Sequence, residues 1–579
     1  MKLVKKKGKE NKGNILNLYL SELEQYIVFA YLFCMLGVFP LYYKEQYYGI
    51  GTAKFEFFWN VSLCFIGIFL LCTFIKLILR RILQSTSYKT RGIHIKQALS
   101  KSVEFKNEKP QNLFSWFLDN LSSLDYAVFI YGICVVLSYA FSDFKDYAFK
   151  GATGWEMGLC SQMIFVAVYF ILSRQNIFRA FFSLKQKTYV TYAQSKQKVG
   201  TIQRNMVLII FVMHLLSSAA TFLFGILHRF DIDPLGMYVG LEIYQKIEFL
   251  STIGQATWFS GYVCTVFAAG VIMFYISKKQ WIRIVSGIYS VISFGILVTQ
   301  NSDSAFIAIA GIMLLLGYFS LSDMKKWCRF WQVSSLMWGT FAGIGILQRM
   351  FADRAIPLDT LSTFFSQSVV TWVMFVISLA AMLFHTNMSK TKAIYKGMLF
   401  LLAAAVVITI IFIYLNTKGY LLQWFGYQNT HPYLLFDYHW GSNRGSTWII
   451  SWQTFVQLPF YQKLFGVGPD SLSAYLYSVP EISDLLHSLW GNVRLTNAHN
   501  EYLNSLLCYG LVGVSAWLTV LIGGITYFYK KAKENPFMIA FALCIMGYAC
   551  HNIFCYQQVC ATPFLFIALG IGESLTKSE

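Results

Sequence analysis

The run Arg494-Leu495-Thr496-Asn497-Ala498-His499-Asn500-Glu501-Tyr502-Leu503 sets a cation, an imidazole and a carboxylate just ahead of an apolar stretch that continues through Leu506, Leu507 and Gly510-Leu511-Val512-Gly513. An imidazole titrates near neutral pH, so a histidine here is suited to taking a proton from a hydroxyl nucleophile. His499, Tyr502 and Leu506 are spaced three and four apart. On a helix they share a face, which directs His499 toward neighbouring helices rather than lipid. The plainer alternative is a histidine that only hydrogen-bonds at an interface. Arg494, five residues before His499, adds a charge able to stabilise an anionic leaving group.

A second cation, Arg444, stands among small residues in Asn443-Arg444-Gly445-Ser446-Thr447-Trp448, ahead of Trp448, Trp452 and Phe455. A guanidinium in this setting can grip a phosphate through two parallel hydrogen bonds, or it can anchor at a membrane interface among aromatic rings. Between the two cations lies Leu464-Phe465-Gly466-Val467-Gly468-Pro469-Asp470, where paired glycines permit a tight turn and close backbone approach. Asp470 is placed to cap the following helix or to position a hydroxyl. Trp440, Trp448, Trp452 and Trp490 offer faces for sugar rings, though Trp and Tyr also serve as interface anchors.

These residues must be held by something other than a soluble core. Of 579 residues, 56% are hydrophobic and 13% charged, about half the charged fraction of an average soluble domain. Apolar stretches long enough to cross a bilayer recur along nearly the whole chain. They fall near 26–43, 57–79, 124–142, 155–173, 205–227, 258–277, 281–299, 304–321, 334–348, 368–385, 398–416, 503–529, 537–553 and 560–574. The sequence therefore predicts an all-α polytopic membrane protein with about 14 transmembrane helices.

The formal charge of +19 is explained by topology better than by nucleic acid, because Lys and Arg gather in alternate gaps. Lys2 to Lys12 precede the first window; Arg80 to Lys109, Arg174 to Arg204, Lys278 to Arg283, Lys325 to Arg329, Lys390 to Lys396 and Lys530 to Lys533 occupy later gaps of the same phase. The basic start resembles a signal peptide, but no small-residue cleavage site follows, and the first window reads as a retained span. Both termini are expected in the cytoplasm. The division is then a basic cytoplasmic segment at 1–25, a bundle of eleven helices at 26–416, a large extracytoplasmic loop at 417–502 holding the candidate residues, and helices 12 to 14 with a short tail at 503–579. That loop has no cysteine, and the chain shows no C-x-x-C or H-x-x-H spacing, so neither a disulfide staple there nor a structural metal is expected. No internal repeat is evident.

Three ordered elements resemble the O-antigen ligase and O-antigen polymerase superfamily. They are Arg444 followed by Trp448, then Gly466-Val467-Gly468-Pro469, then Asn497-Ala498-His499-Asn500-Glu501-Tyr502-Leu503 with Gly510-Leu511-Val512-Gly513. A looser match lies at Ser251-Thr252-Ile253-Gly254-Gln255-Ala256-Thr257-Trp258-Phe259, with Gln255 where Asn is usual. One element departs: where the family has a Ser-Arg pair at the outer end of a middle helix, this chain reads Thr299-Gln300-Asn301-Ser302-Asp303-Ser304, leaving Arg229 or Arg354 as substitutes.

The resemblance implies a metal-independent, inverting glycosyltransferase, without a cofactor, at the outer face of a bacterial cytoplasmic (inner) membrane. It would move glycan from a polyprenyl-diphosphate carrier onto an acceptor sugar hydroxyl, as a polymerase or as a ligase. By matching position, His499 is the expected general base and Arg444 the diphosphate ligand; Asn500, Tyr502 and Gly468 are expected to position substrate. Arg494 joins the phosphate ligands by its nearness in sequence. Expected partners are the lipid-linked donor, a sugar or glycolipid acceptor, the bilayer and a chain-length regulator, with no nucleic acid. Two other classes fit the hydropathy, a lipid-linked oligosaccharide flippase and a non-catalytic assembly subunit. Two similar halves and charges along a central cavity mark the former, and an intact phenotype after His499→Ala marks the latter.

Overall fold

The computed structural model describes residues 19–94, 121–154, 156–178, 193–383, 387–431 and 433–576, and side chains over all of these but 80–94 and 193–201. The basic stretch Lys2 to Lys12 and most of the basic residues expected in the gaps at 80–123 and 174–204 lie outside the residues so described. The chain is an all-α polytopic membrane protein, with only one two-residue strand pair, Phe249–Leu250 against Gly254–Gln255, among the described residues. Each of the fourteen apolar windows coincides with a helix. The first helices are α1 (Tyr19–Leu41), α2 (Ile50–His94), α3 (Ser123–Phe141), α4 (Leu159–Ser173), α5 (Ala193–His228) and α6 (Ala256–Ile276). They are followed by α7 (Gln280–Thr299), α8 (Ser304–Ser320), α9 (Met324–Met350), α10 (Thr360–Gln367), α11 (Val369–Leu383) and α12 (Met388–Thr417). After the segment that carries the candidate residues come α17 (Glu501–Lys531), α18 (Ile539–His551) and α19 (Thr562–Thr576). Within that segment lie α13 (Trp440–Gln457) and the short α14 (Phe460–Phe465), α15 (Leu472–Ser478) and α16 (Pro480–Trp490).

Among the described residues, eight helices are long and apolar enough to cross a bilayer, and nine if α10 and α11, bent by 49° at their junction, form one broken span. Helices α4, α8, α18 with its short lead-in, and α19 are apolar but shorter. Backbone groups freed where helices break are satisfied by side chains, as a bilayer interior demands. At Pro40 the end of α1 leaves the carbonyls of Phe39 and Pro40 without helical donors. The buried Lys54 ammonium donates to both, at 2.6 and 3.1 Å, and the Thr252 hydroxyl donates to Pro40 at 2.7 Å. At the start of α3, Ser122 and Asp125 cap each other's backbone N–H, and Asp125 also pairs with Arg174 at 3.0 Å.

The bundle centres on α17, which packs on α3, α18 and the short α14. Helix α12 differs: none of its most apolar window is buried. Its hydrogen bonds to the rest of the chain include Tyr395 donating to the Leu314 carbonyl at 2.8 Å and Asn416 donating to Asn429 and Leu434 at 2.8 Å. In a bilayer this apolar surface faces lipid, so its exposure carries no solvation cost.

Helix α17 is interrupted at Gly510, whose φ of 67° frees the carbonyls just before it. Val467 and Gly468 donate their N–H groups to Leu507 and Cys508, at 2.9 and 3.1 Å, so the Gly466-Val467-Gly468 turn docks into the break. Glycine is required on both sides. A Cβ on Gly466 would run into the Cys508 carbonyl, and one on Gly510 into Leu464. Gly510→Ala is expected to lower stability by about 2 kcal/mol through left-handed strain and this clash, read as a fall in the thermal midpoint of the solubilised protein.

Candidate active site

Arg444 does not stand in the middle of a regular helix. Gly441, Ser442 and Asn443 all take left-handed backbone conformations, with φ of 59°, 59° and 67°, and continuous helix begins only after them. This turn brings Arg444 to the N-terminal end of α13, where unsatisfied N–H groups favour anions. One guanidinium nitrogen donates to the Gly441 carbonyl at 3.1 Å, and the group lies 5.9 Å from the centre of the Phe554 ring. Its Nε is buried and has no hydrogen-bond partner among the described residues. Trp440, Trp448 and Phe554 stack into one aromatic wall beside it, with Trp440 to Trp448 at 5.3 Å and Trp448 to Phe554 at 5.6 Å. The Trp448 indole N–H is likewise buried and unpartnered among the described residues.

His499 departs from the expected arrangement. Helix α17 starts one residue beyond Asn500, whose side chain caps it by accepting from the N–H groups of Tyr502 and Leu503 at 2.9 and 3.0 Å. His499 therefore precedes the helix and shares no face with Tyr502 or Leu506; its φ is 47°. The spacing of three and four misled because a capping asparagine stood inside the pattern. A non-glycine residue held in this region signals local strain, which gathers at functional sites.

Two contacts hold His499 in place, and a third supports the second of them. Its backbone N–H donates to Asn497 at 3.0 Å, its ring meets Tyr556 edge to face at 5.4 Å, and Trp258 donates to the Tyr556 hydroxyl at 3.1 Å. Trp258 belongs to the upstream Ser251–Phe259 segment, so that looser motif reaches the site through Tyr556. Among the described residues, none hydrogen-bonds either ring nitrogen of His499. Burial, and secondarily the Arg444 charge, lower its pKa to about 4, so the ring is neutral and free to accept a proton at neutral pH.

Arg444 and His499 are thus brought together. Thr447, on α13, bridges their segments by donating to the carbonyls of Arg444 at 2.8 Å and Ala498 at 3.0 Å. Thr447→Val keeps the shape and removes the donor. It is expected to cost about 1 kcal/mol of stability and to lower glycan transfer several-fold without changing membrane insertion, measured on membranes at matched protein levels.

The other expected residues take different places. Arg494 is exposed, donates to the Ser473 hydroxyl at 3.0 Å and lies over the Tyr477 ring at 4.9 Å. Among the described residues, no hydrogen bond or ion pair joins it to Arg444 or His499. Tyr502 donates to the Ala549 carbonyl at 2.7 Å, and Gly468, with φ of 123°, packs against Ser142. Both, with Asn500, hold the frame. Glu501 is buried, and Asn552 and Gln557 both donate to its carboxyl. Asp470 caps no helix; it accepts from the N–H groups of Ala152 and Met157 at 2.8 and 3.0 Å.

Sequence reading missed a carboxylate pair. Asp303, in the segment where a Ser-Arg pair was expected, lies next to Asp359, and Arg444 is close enough to act on it. Burial and the Asp359 charge raise the Asp303 pKa to about 6. The loops are joined by Asn301, which donates to Pro357 at 3.0 Å and accepts from the Asp359 N–H at 3.2 Å. The signal available was two aspartates, each one step before a helix and each in an outward-phase gap. Of the substitutes for the absent arginine, Arg229 is fully buried and donates to the carbonyls of Thr299, Lys246 and Ile247, while Arg354 is exposed.

Residues 355–518 match the family model described as O-antigen ligase. The matched stretch contains Arg444, Gly468, Arg494, His499, Asn500 and Tyr502, so the resemblance read from the motifs stands, and it supports membership of the O-antigen ligase and polymerase superfamily. No curated protein matches the chain.

Proposed function

We propose, with the O-antigen ligase match of residues 355–518 as premise, that the chain is a metal-independent, inverting glycosyltransferase. It moves or polymerises glycan from a polyprenyl-diphosphate carrier onto an acceptor sugar hydroxyl. The observation that carries this reading is the meeting of an unpaired, neutral imidazole at His499 with Arg444, whose Nε is buried without a partner among the described residues.

In this mechanism His499 removes the proton from the acceptor hydroxyl as the oxygen attacks the anomeric carbon. The bond from that carbon to the diphosphate oxygen breaks, and Arg444 with the α13 N-terminus stabilises the charge that develops on the leaving diphosphate. Because attack and departure take place on opposite faces, configuration inverts. Trp440, Trp448 and Phe554 offer a wall for sugar rings beside the phosphate position. Arg494, further out, serves the approach of the anionic donor; Asn500, Tyr502 and Gly468 hold the base and turn in place.

The charge phase supports a topology of fourteen spans, with both termini cytoplasmic, 26–416 as a bundle of eleven helices, 417–502 outside and 503–579 as the last three helices. This puts the reaction on the outer face of a bacterial cytoplasmic membrane, beside a lipid-linked donor and, for a polymerase, a chain-length regulator.

The test compares glycan length and carrier-linked intermediates in cells carrying the wild type, His499→Ala or Arg444→Ala at equal membrane levels. Loss of long polymer with single repeat units retained marks a polymerase; full-length polymer accumulating on the carrier marks a ligase. Unchanged glycan in both variants overturns the proposal in favour of a flippase or an assembly subunit.

A further inference from the structure

A small polar cavity lies behind the candidate base. Asp470, Asn497, Asn504, Tyr509, Tyr556 and Gln557 are among the residues that line it. Two of these, Asn497 and Tyr556, are the residues that hold His499, so the cavity shares a wall with the imidazole. Asp470 is buried, at 7% exposure, on a backbone with φ of 53°. Its Oδ2 receives backbone N–H bonds from Ala152 and Met157, and the residue lines the cavity.

Asp470 is buried as an acid rather than as the amide of an asparagine. Among the described residues it makes no ion pair, and a buried carboxylate without a cation is costly. An asparagine carbonyl would accept the same two N–H groups at no such cost. Both His499 and Asp470 hold left-handed backbone, a conformation that gathers at functional sites.

We propose that Asp470 is the proton acceptor behind His499, taking through this cavity the proton that the imidazole removes from the acceptor hydroxyl. The inference rests on the glycosyl-transfer reading and extends it. The proton passes from the acceptor oxygen to a His499 ring nitrogen, from the imidazolium across the polar cavity to the Asp470 carboxylate, and then to bulk water. His499 is returned neutral for the next sugar, and no oxidant or cofactor is involved.

A proton acceptor must begin each cycle unprotonated. Burial raises the Asp470 pKa to about 7, against the two N–H bonds that lower it and with the nearby Glu156 adding to the rise. The other titratable groups facing it are Tyr147, Cys508 and Tyr509. Transfer should thus increase as pH rises through about 7.

The test is the rate of incorporation of a radiolabelled sugar into polymer by whole cells, with the pH of the medium varied and membrane levels matched. Asp470→Asn is expected to lower the rate on the order of tenfold above neutrality, less than loss of a direct general base, and to abolish the rise near neutral pH. His499→Ala is run alongside. If it keeps transfer, the glycosyl-transfer reading itself fails. If His499→Ala is inactive while Asp470→Asn keeps the wild-type rate and profile, only the relay is overturned. Should Asp470→Asn not accumulate, Tyr556→Phe decides, since it keeps the ring against His499 and removes a cavity hydroxyl. A flattened profile supports the relay, and an intact rise overturns it.

Discussion

His499→Ala is expected to reduce glycan transfer by roughly a hundredfold to ten-thousandfold, the range that a positioned general base supplies. The loss should fall on kcat, because the ring acts on the acceptor proton in the transition state and contributes little to donor binding. Stability should change little: among the described residues no hydrogen bond uses the ring nitrogens, and the frame is held by backbone and by Asn497, Asn500 and Glu501. The pH dependence has a defined sign. The base works when neutral, and its pKa is lowered to about 4, so its own contribution persists through neutral pH and is lost only as pH falls through about 4. With the Asp470 limb near 7 removed by Asp470→Asn, this lower limb is the one that remains.

Arg444→Ala is expected to cost on the order of a hundredfold to a thousandfold, the effect of deleting one group that stabilises a developing oxyanion. Arg444→Lys should recover only part of this, since an ammonium keeps the charge but not the planar fork that grips two phosphate oxygens. A second readout reports whether the Arg444 charge reaches His499. The Arg444 charge is one cause of the low His499 pKa, so Arg444→Ala should let that pKa rise toward its ordinary value. The acid limb of residual activity would then move to higher pH, while in Arg444→Lys it would stay near its wild-type position. A limb unmoved in Arg444→Ala would show that the Arg444 charge does not act on His499.

Hydropathy located the apolar helices because a bilayer-spanning segment must be long and apolar, and this pattern does not depend on which helices touch; it gave none of the helices between 440 and 490. It did not reveal how the helices break. The docking of Val467 and Gly468 into the gap opened at Gly510 depends on backbone angles at two places more than forty residues apart. Local spacing alone led to the wrong geometry for His499, because Asn500 caps the helix that the spacing extended through it. Arg444 and His499 were legible as chemistry, and their approach through Thr447 and Ala498 was not.

The carboxylate pair of Asp303 and Asp359 escaped for a related reason: each residue is an ordinary helix-start aspartate until Asn301 ties the two loops together. Asp470 illustrates the opposite case. Its place after Gly468-Pro469 suggested a cap, but the donors that reach it are Ala152 and Met157, more than three hundred residues earlier.

The most direct test of glycosyl transfer at this site is the amount of polyprenyl-diphosphate-linked glycan, measured against finished polysaccharide, in cells whose only copy of the protein is His499→Ala. At wild-type protein levels, carrier-linked glycan should accumulate on the outer face while the finished product disappears. Normal product with no accumulation on the carrier would contradict the assignment of His499 as the base.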